Sequence, residues 1–503
     1  MKANLLFQNG DFDRSAPPPV NFDDLVQDLE FGQIFSIMSR GDDYTLVTVK
    51  KVLMQSLKSP AQIKYRQEIL KEVLAHEDTV RQLYQIVLET LQGVGKVSFL
   101  GIGYFSKQNP EITLHRALQQ LKFLSDRLIQ LYKFANTNSS KFNSQGFAYF
   151  YSQIMKELTQ QYLDTINQHL RQLRFGDGVL ISAELCEGNK GRDYRLHKHQ
   201  IDKPSRIKKI FPHRHSANTI VIPDRDEAGF KALEELRGRG INAAANSVAK
   251  SADHILSYFE NLRFELSFYL GCTNLYRALT EKAEPVCFPD PKPVGEGTFR
   301  VEGLYDASLS LRLKTKCVGN DVIADSRGLI VITGANRGGK STFLRSVGLA
   351  QIMMQAGMFV PAVSYTADIA ESVFTHFKRE EDSEMKSGKL EEELARMKVI
   401  VDNISSNSML LLNESFSSTN EKEGSEIARQ IVKAMREDCI KIFFVTHFYD
   451  LASSFKRNNS SDAVFLRAER NEDGTRPFKL VDGEPLSTVF GSDIYQQVFG
   501  VKL

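Results

Sequence analysis

Apolar positions in the first third of the chain recur at helical spacing. Leu46, Val49, Leu53 and Leu57 are three or four residues apart, and Ile63, Leu70 and Leu74 continue the pattern. Longer stretches, Glu77 to Gln92, Glu111 to Lys133 and Tyr149 to Leu173, carry it on to Phe175, with the polar run Asn136 to Lys141 predicted as a loop. Residues 22–175 therefore read as a helical region, either a bundle or a set of rigid struts. Residues 1–21, polar and ending in Pro17-Pro18-Pro19, read as a flexible tail with no charged-then-apolar signal pattern.

The period then shortens. Gly178 to Ala183 and Asn218 to Pro223 read as strands, so residues 176–242 are expected to form an α/β insertion. Helix resumes at about Ala243, where Ile255, Phe259, Leu262, Leu266 and Tyr269 form a buried stripe, and residues 243–286 return toward the last region. Pro289, Pro291 and Pro293 mark a boundary, and residues 287–503 alternate short β-like runs with helices. The fold class is multidomain α and α/β.

Charge changes this picture at one place. The 503 residues carry a net charge of only +2, too little to imply a nucleic-acid partner by itself. Lys190 to Arg214, however, holds nine Lys/Arg against two acids, with Lys203, Arg206, Lys208 and Lys209 at its centre. A solvated basic hairpin and a phosphate-contacting DNA surface both fit. The H-x-H pairs His197/His199 and His213/His215 also allow a metal site, although no cysteine or carboxylate cluster supports one. No apolar run is long enough for a membrane span. Five scattered cysteines without a CxxC pair fit reduced thiols in a cytoplasm.

The strongest chemistry lies at Leu329 to Leu344. Gly334, Gly339, Lys340 and Ser341 fill the fixed positions of G-x-x-x-x-G-K-[ST], with Ala335, Asn336, Arg337 and Gly338 between the glycines. An apolar strand precedes the motif and a helix-compatible run from Thr342 follows, so loop N–H groups and the helix N-terminus would face a polyphosphate. Lys340 would reach the β/γ-phosphates and the Ser341 hydroxyl would ligate Mg²⁺. Two further apolar runs end in polar groups. Ser408 to Glu414 offers Glu414 to polarise a water, with Asn413 where such enzymes usually hold metal through an Asp. Lys441 to His447 offers His447 to the γ-phosphate.

These residues carry a resemblance. The order Gly334 to Thr342, Phe359-Val360-Pro361-Ala362, Leu410 to Glu414, then Thr446-His447-Phe448 resembles the ATPase domain of the MutS family, relatives of ABC-type ATPases. Gly483 to Gly491 is similar to the segment that closes that domain. Ser59 to Gln67 and Ala252 to Leu279 resemble the start and the return of the family's helical lever. The resemblance implies a lever domain on a P-loop ATPase, with ATP and Mg²⁺ as cofactors, dimerisation on ATP, slow hydrolysis and DNA clamping without direct mismatch reading. The alternative is an ATP-switched protein with little hydrolysis that acts on a protein or RNA partner. Departures are Asn413 for the family's Walker B Asp, a loose match to the partner-completing serine segment at Ser387 to Glu391, and no adenine-stacking aromatic near Cys317. The mismatch-reading N-terminal domain and the C-terminal dimerisation helices are expected to be missing.

Overall fold

The computed structural model describes residues 2–99, 110–175, 178–197, 221–379, 388–459, 461–471 and 474–485. Among them the chain is mixed α/β, with fourteen α-helices and three sheets. It divides into two compact units that interleave along the sequence. One holds residues 1–3, 81–141 and 148–263, the other residues 4–80, 142–147 and 264–503.

In the first unit the helices Pro110–Asn138 and Gln160–Gln172 pack with part of a 54-residue helix, Glu227–Thr280. Leu114, Leu118, Leu170, Ile241 and Ala245 form its core. The Tyr149 to Leu173 run is two helices, Gln145–Glu157 and Gln160–Gln172. Thr159 interrupts it by taking extended geometry and accepting the Tyr162 N–H on its hydroxyl. The strand expected at Gly178 to Ala183 runs Leu180–Leu185 and pairs antiparallel with Gly191–His197. Three of the nine Lys/Arg of the basic run, Lys190, Arg192 and Arg195, thus lie on an exposed hairpin, where His197 Nε2 is 2.6 Å from Ser182 Oγ. Lys203, Arg206, Lys208, Lys209, His199, His213 and His215 lie outside the described residues. Val221 to Pro223 is not a strand, and the long helix starts at Glu227 rather than Ala243. Gly229, Gly238 and Gly240 weaken the local helix signal there. Asp226 accepts the Gly229 N–H at its start, and Ile241 and Ala245 bury one face.

The second unit is built on a six-stranded sheet. Its spatial order is Leu480–Asp482, Ala463–Ala468, Leu329–Gly334, Lys441–Val445, Met409–Asn413 and Val373–Phe377, parallel except for the first strand. Parallel strands covered on both faces read as unbroken apolar runs, which is why Leu329 to Ile332 and Met409 to Leu412 do not alternate. Helices Lys389–Asn403, Glu421–Glu437 and Tyr449–Asn459 supply Met397, Ile400, Val432 and Phe455 to one shared core with these strands. The helix Lys340–Gln355 is buried along most of its length.

The segment expected as a flexible tail is instead partly embedded in this unit. Leu5 and Leu6 are fully buried. Glu265 accepts the Leu5 N–H at 2.7 Å, Arg66 Nε donates to Leu6 O at 2.8 Å, and the hydroxyls of Tyr65 and Tyr269 donate to Asn4 O and Leu5 O. Three apolar residues, Leu5 to Phe7, are too few to set a period, so the sequence pattern carried no trace of this docking.

Candidate nucleotide site

The strand Leu329–Gly334 ends in a loop that turns directly into the helix Lys340–Gln355. Two glycines make the turn. Gly334 has φ +106, and a Cβ there would press on the Ala468 backbone; Gly339, the residue before the helix, has φ +90. Arg337 takes a left-handed φ of +61 and is exposed with Asn336 at the tip, whereas Ala335 and Gly338 are buried. Lys340 is only 5% exposed, and its Nζ donates to Gly334 O and Ala335 O, each at 3.0 Å. Burial pulls its pKa down, and the Glu414 carboxylate acts against that fall. A buried ammonium held by carbonyls, with the loop amides around it, is suited to an anionic ligand.

The other named residues converge on the same end of the sheet. Val445 pairs with both Ile332 and Asn413, so the three strands end level. Although the Lys441–Val445 strand intervenes, Ser341 Oγ donates to Asn413 Oδ1 at 2.9 Å across it. Glu414 follows in a left-handed conformation, φ +53, with its N–H donating to Val445 O at 2.9 Å. Thr446 N–H donates to Ile332 O, which fixes the start of the next turn. His447 lies two residues beyond its strand, exposed, with its ring beside Phe448 at 4.8 Å. Thr342 is half-buried in the first turn of the loop helix. For a divalent cation the donors are two neutral oxygens, on Ser341 and Asn413, with the Glu414 carboxylate next along the chain. That set fits a cation that keeps its waters and draws most of its charge pairing from phosphate.

Two family models match the chain. Residues 58–282 match the family model described as the MutS2 N-terminal domain, and residues 330–497 match MutS domain V. A DNA mismatch repair protein MutS from Thermotoga maritima is 31% identical over 259 residues, 51% of this chain and 31% of the relative. One from Desulfitobacterium hafniense is 30% identical over 191 residues, 37% of this chain and 22% of the relative. The chain belongs to the MutS family. MutS protein homolog 4 from Mus musculus is also similar, at 31% identity over 150 residues, 30% of this chain and 15% of the relative. The chain thus spans less than a third of the length of these MutS relatives.

Sequence reasoning missed one wall of this candidate site. A cavity of about 580 Å³ opens beside the loop, lined by Tyr305, Cys317, Val318, Arg337, Thr342 and Phe478 among others. Phe478, half exposed, approaches Gly339 from a segment far along the chain, and its carbonyl accepts from Asn320 Nδ2 at 3.4 Å. An aromatic face therefore borders the cavity even though Cys317 offers none. No local pattern around Phe478 announces it. Ser387 of the loosely matched serine segment lies outside the described residues, while Lys389 to Glu391 open the helix that follows.

Proposed function

We propose that this chain binds ATP with Mg²⁺ at the loop Gly334 to Thr342 and hydrolyses it slowly, as an ATP-dependent dimer that clamps DNA. The observation that carries the reading is the buried Lys340 ammonium among loop carbonyls, one residue from a Ser341 hydroxyl bonded to Asn413. Lys340 would bind the β/γ-phosphates, and Ser341 and Asn413 would hold Mg²⁺, which supplies charge neutralisation between phosphate oxygens when bound. Glu414 would accept the proton of the attacking water, and His447 would contact the γ-phosphate. The cavity beside Phe478 would take the nucleoside.

DNA enters through the relatives named as DNA mismatch repair proteins and through the basic run Lys190 to Arg214. Lys340→Ala should abolish binding of a fluorescent ATP analogue while the thermal transition stays, and Glu414→Gln should bind ATP but lose turnover. Normal ATP binding by Lys340→Ala would sink the assignment. A second reading, an ATP switch with little hydrolysis, draws on the neutral Asn413; a steady-state ATPase assay with and without DNA separates the two.

A further inference from the structure

His376, in the edge strand Val373–Phe377, is completely buried although nothing in the proposed chemistry uses it. Its Nδ1 lies 2.8 Å from Ser415 Oγ and its Nε2 lies 3.0 Å from Glu393 O. The ring stacks on Phe416 at 5.4 Å, and Ser415 Oγ lies within hydrogen-bond reach of His376 O at 2.8 Å. A carbonyl only accepts, so in the neutral ring Nε2 carries the proton, and the single Ser415 hydroxyl proton is shared between Nδ1 and His376 O. Burial holds the imidazole near 4, which keeps it neutral at ordinary pH.

Ser415 stands in a strained turn. Glu414 and Phe416, on either side of it, have φ of +53 and +63. Each such non-glycine residue costs roughly 1–2 kcal/mol, so the turn persists only where its surroundings over-determine it. One hold is the Glu414 N–H on Val445 O. Another is the Ser415 side chain, whose partners are the His376 ring and the His376 carbonyl. The far side of the ring grips Glu393, in the helix Lys389–Asn403. Burial raises the Glu393 carboxyl, and the Ser418 hydroxyl and Phe416 N–H act against the rise, so this residue also faces the same turn.

We propose that His376 is a positioning residue for Glu414, tying the turn that aims its carboxylate to the helix Lys389–Asn403 through Ser415 on one ring nitrogen and Glu393 on the other. The inference rests on the reading of Glu414 as the base in ATP hydrolysis. Three replacements separate the two ties. His376→Asn puts an amide where Nδ1 lies and keeps the side-chain tie to Ser415; His376→Gln reaches the place of Nε2 and keeps Glu393; His376→Phe fills the space, keeps neither ring tie and leaves Ser415 only the backbone carbonyl of residue 376. Ser415→Ala tests the same tie with a minimal change should the larger replacements fail to fold.

The experiment measures ATP dissociation constant and kcat for the full chain and these four variants. ATP affinity should stay within about 3-fold throughout, since no phosphate contact changes. In His376→Phe, His376→Gln and Ser415→Ala, kcat should fall about 10-fold or more, the effect of a misplaced catalytic group. His376→Asn should stay within about 3-fold of the parent kcat. Parent-like kcat in His376→Phe and Ser415→Ala would overturn the proposal. So would equal losses in His376→Asn and His376→Phe, which would make the ring a packing element only. Absence of turnover in the unaltered protein would overturn the hydrolysis reading as well, whereas turnover that ignores these variants overturns this inference alone.

Discussion

Two buried titratable residues of the second unit pull stability in opposite directions with pH. Glu265 is held near 7, above its ordinary 4.5, by burial, with the Leu5 N–H opposing the rise, Asp11 adding to it and Arg66 countering. Between those values the folded state binds the extra proton, so this residue's contribution is full below 4.5 and is lost as pH rises toward 7. His376 is held near 4 against its ordinary 6.5, by burial first and Arg396 next. There the unfolded chain binds the proton first, so stability is lost as pH falls from 6.5 toward 4. In the shared window the slopes, each up to about 1.4 kcal/mol per pH unit, oppose one another. Glu265→Gln should therefore expose a stability that rises with pH across that window, and His376→Asn one that falls. Denaturant unfolding at pH 5 and pH 6.5 reads both signs, and two unchanged profiles would mean that neither group titrates as its burial demands. Neither residue was legible as functional. His376 lies in an apolar run and Glu265 in a helical stripe, and what distinguishes them is partners 39 and 260 residues away. Lys340, Ser341 and Glu414 were legible as candidates that meet at one end of the sheet, because a turn or a strand end is a local event.

Elements were legible where one period ran long, and blurred where packing overrode propensity. The stripe Ile255 to Tyr269 is buried at every named position. The same helix was missed from Glu227 to Asn242 because its glycines argue against helix. Gly240 shows why one of them is there: a Cβ at that position would fall on the Ile181 side chain of the hairpin. Alanine should gain up to about 1 kcal/mol of helix propensity and lose about 1–3 kcal/mol to overpacking. Gly240→Ala should thus destabilise the chain by up to about 2 kcal/mol in equilibrium unfolding. In an Ile181→Ala background the clash is gone, and the same change should stabilise. Independent, additive effects of the two substitutions would show that Gly240 and Ile181 do not meet.

At the scale of the molecule, the sequence suggested five consecutive regions, whereas the compact units interleave, because the first residues and the returning helix build one unit with the sheet. Such pairing over long separations leaves no local signature. For the proposed DNA contact, phosphates neutralised by lysine and arginine release counterions. Neutralising Lys203, Arg206, Lys208 and Lys209 together should make the log–log salt dependence of DNA affinity shallower by roughly 3 to 4. Competition among mismatched, perfect and four-way-junction DNA should scarcely favour the mismatch. An unchanged slope would move the phosphate contacts elsewhere on the chain.

The docking of Asn4 to Phe7 also sets an order of events during synthesis. Leu5 leaves the ribosome 260 residues ahead of Glu265, its buried partner. At about 5–20 residues per second, that is a wait of roughly 13–52 s. Throughout it, two leucines bound for the interior lack the helix that covers them, and the sheet of their unit has not been made. Through that interval the nascent chain carries an adhesive apolar segment, the kind of surface on which a holding chaperone works. Even the returning end of the long helix does not complete this unit, since the last strand of its sheet, Leu480–Asp482, emerges some 200 residues later.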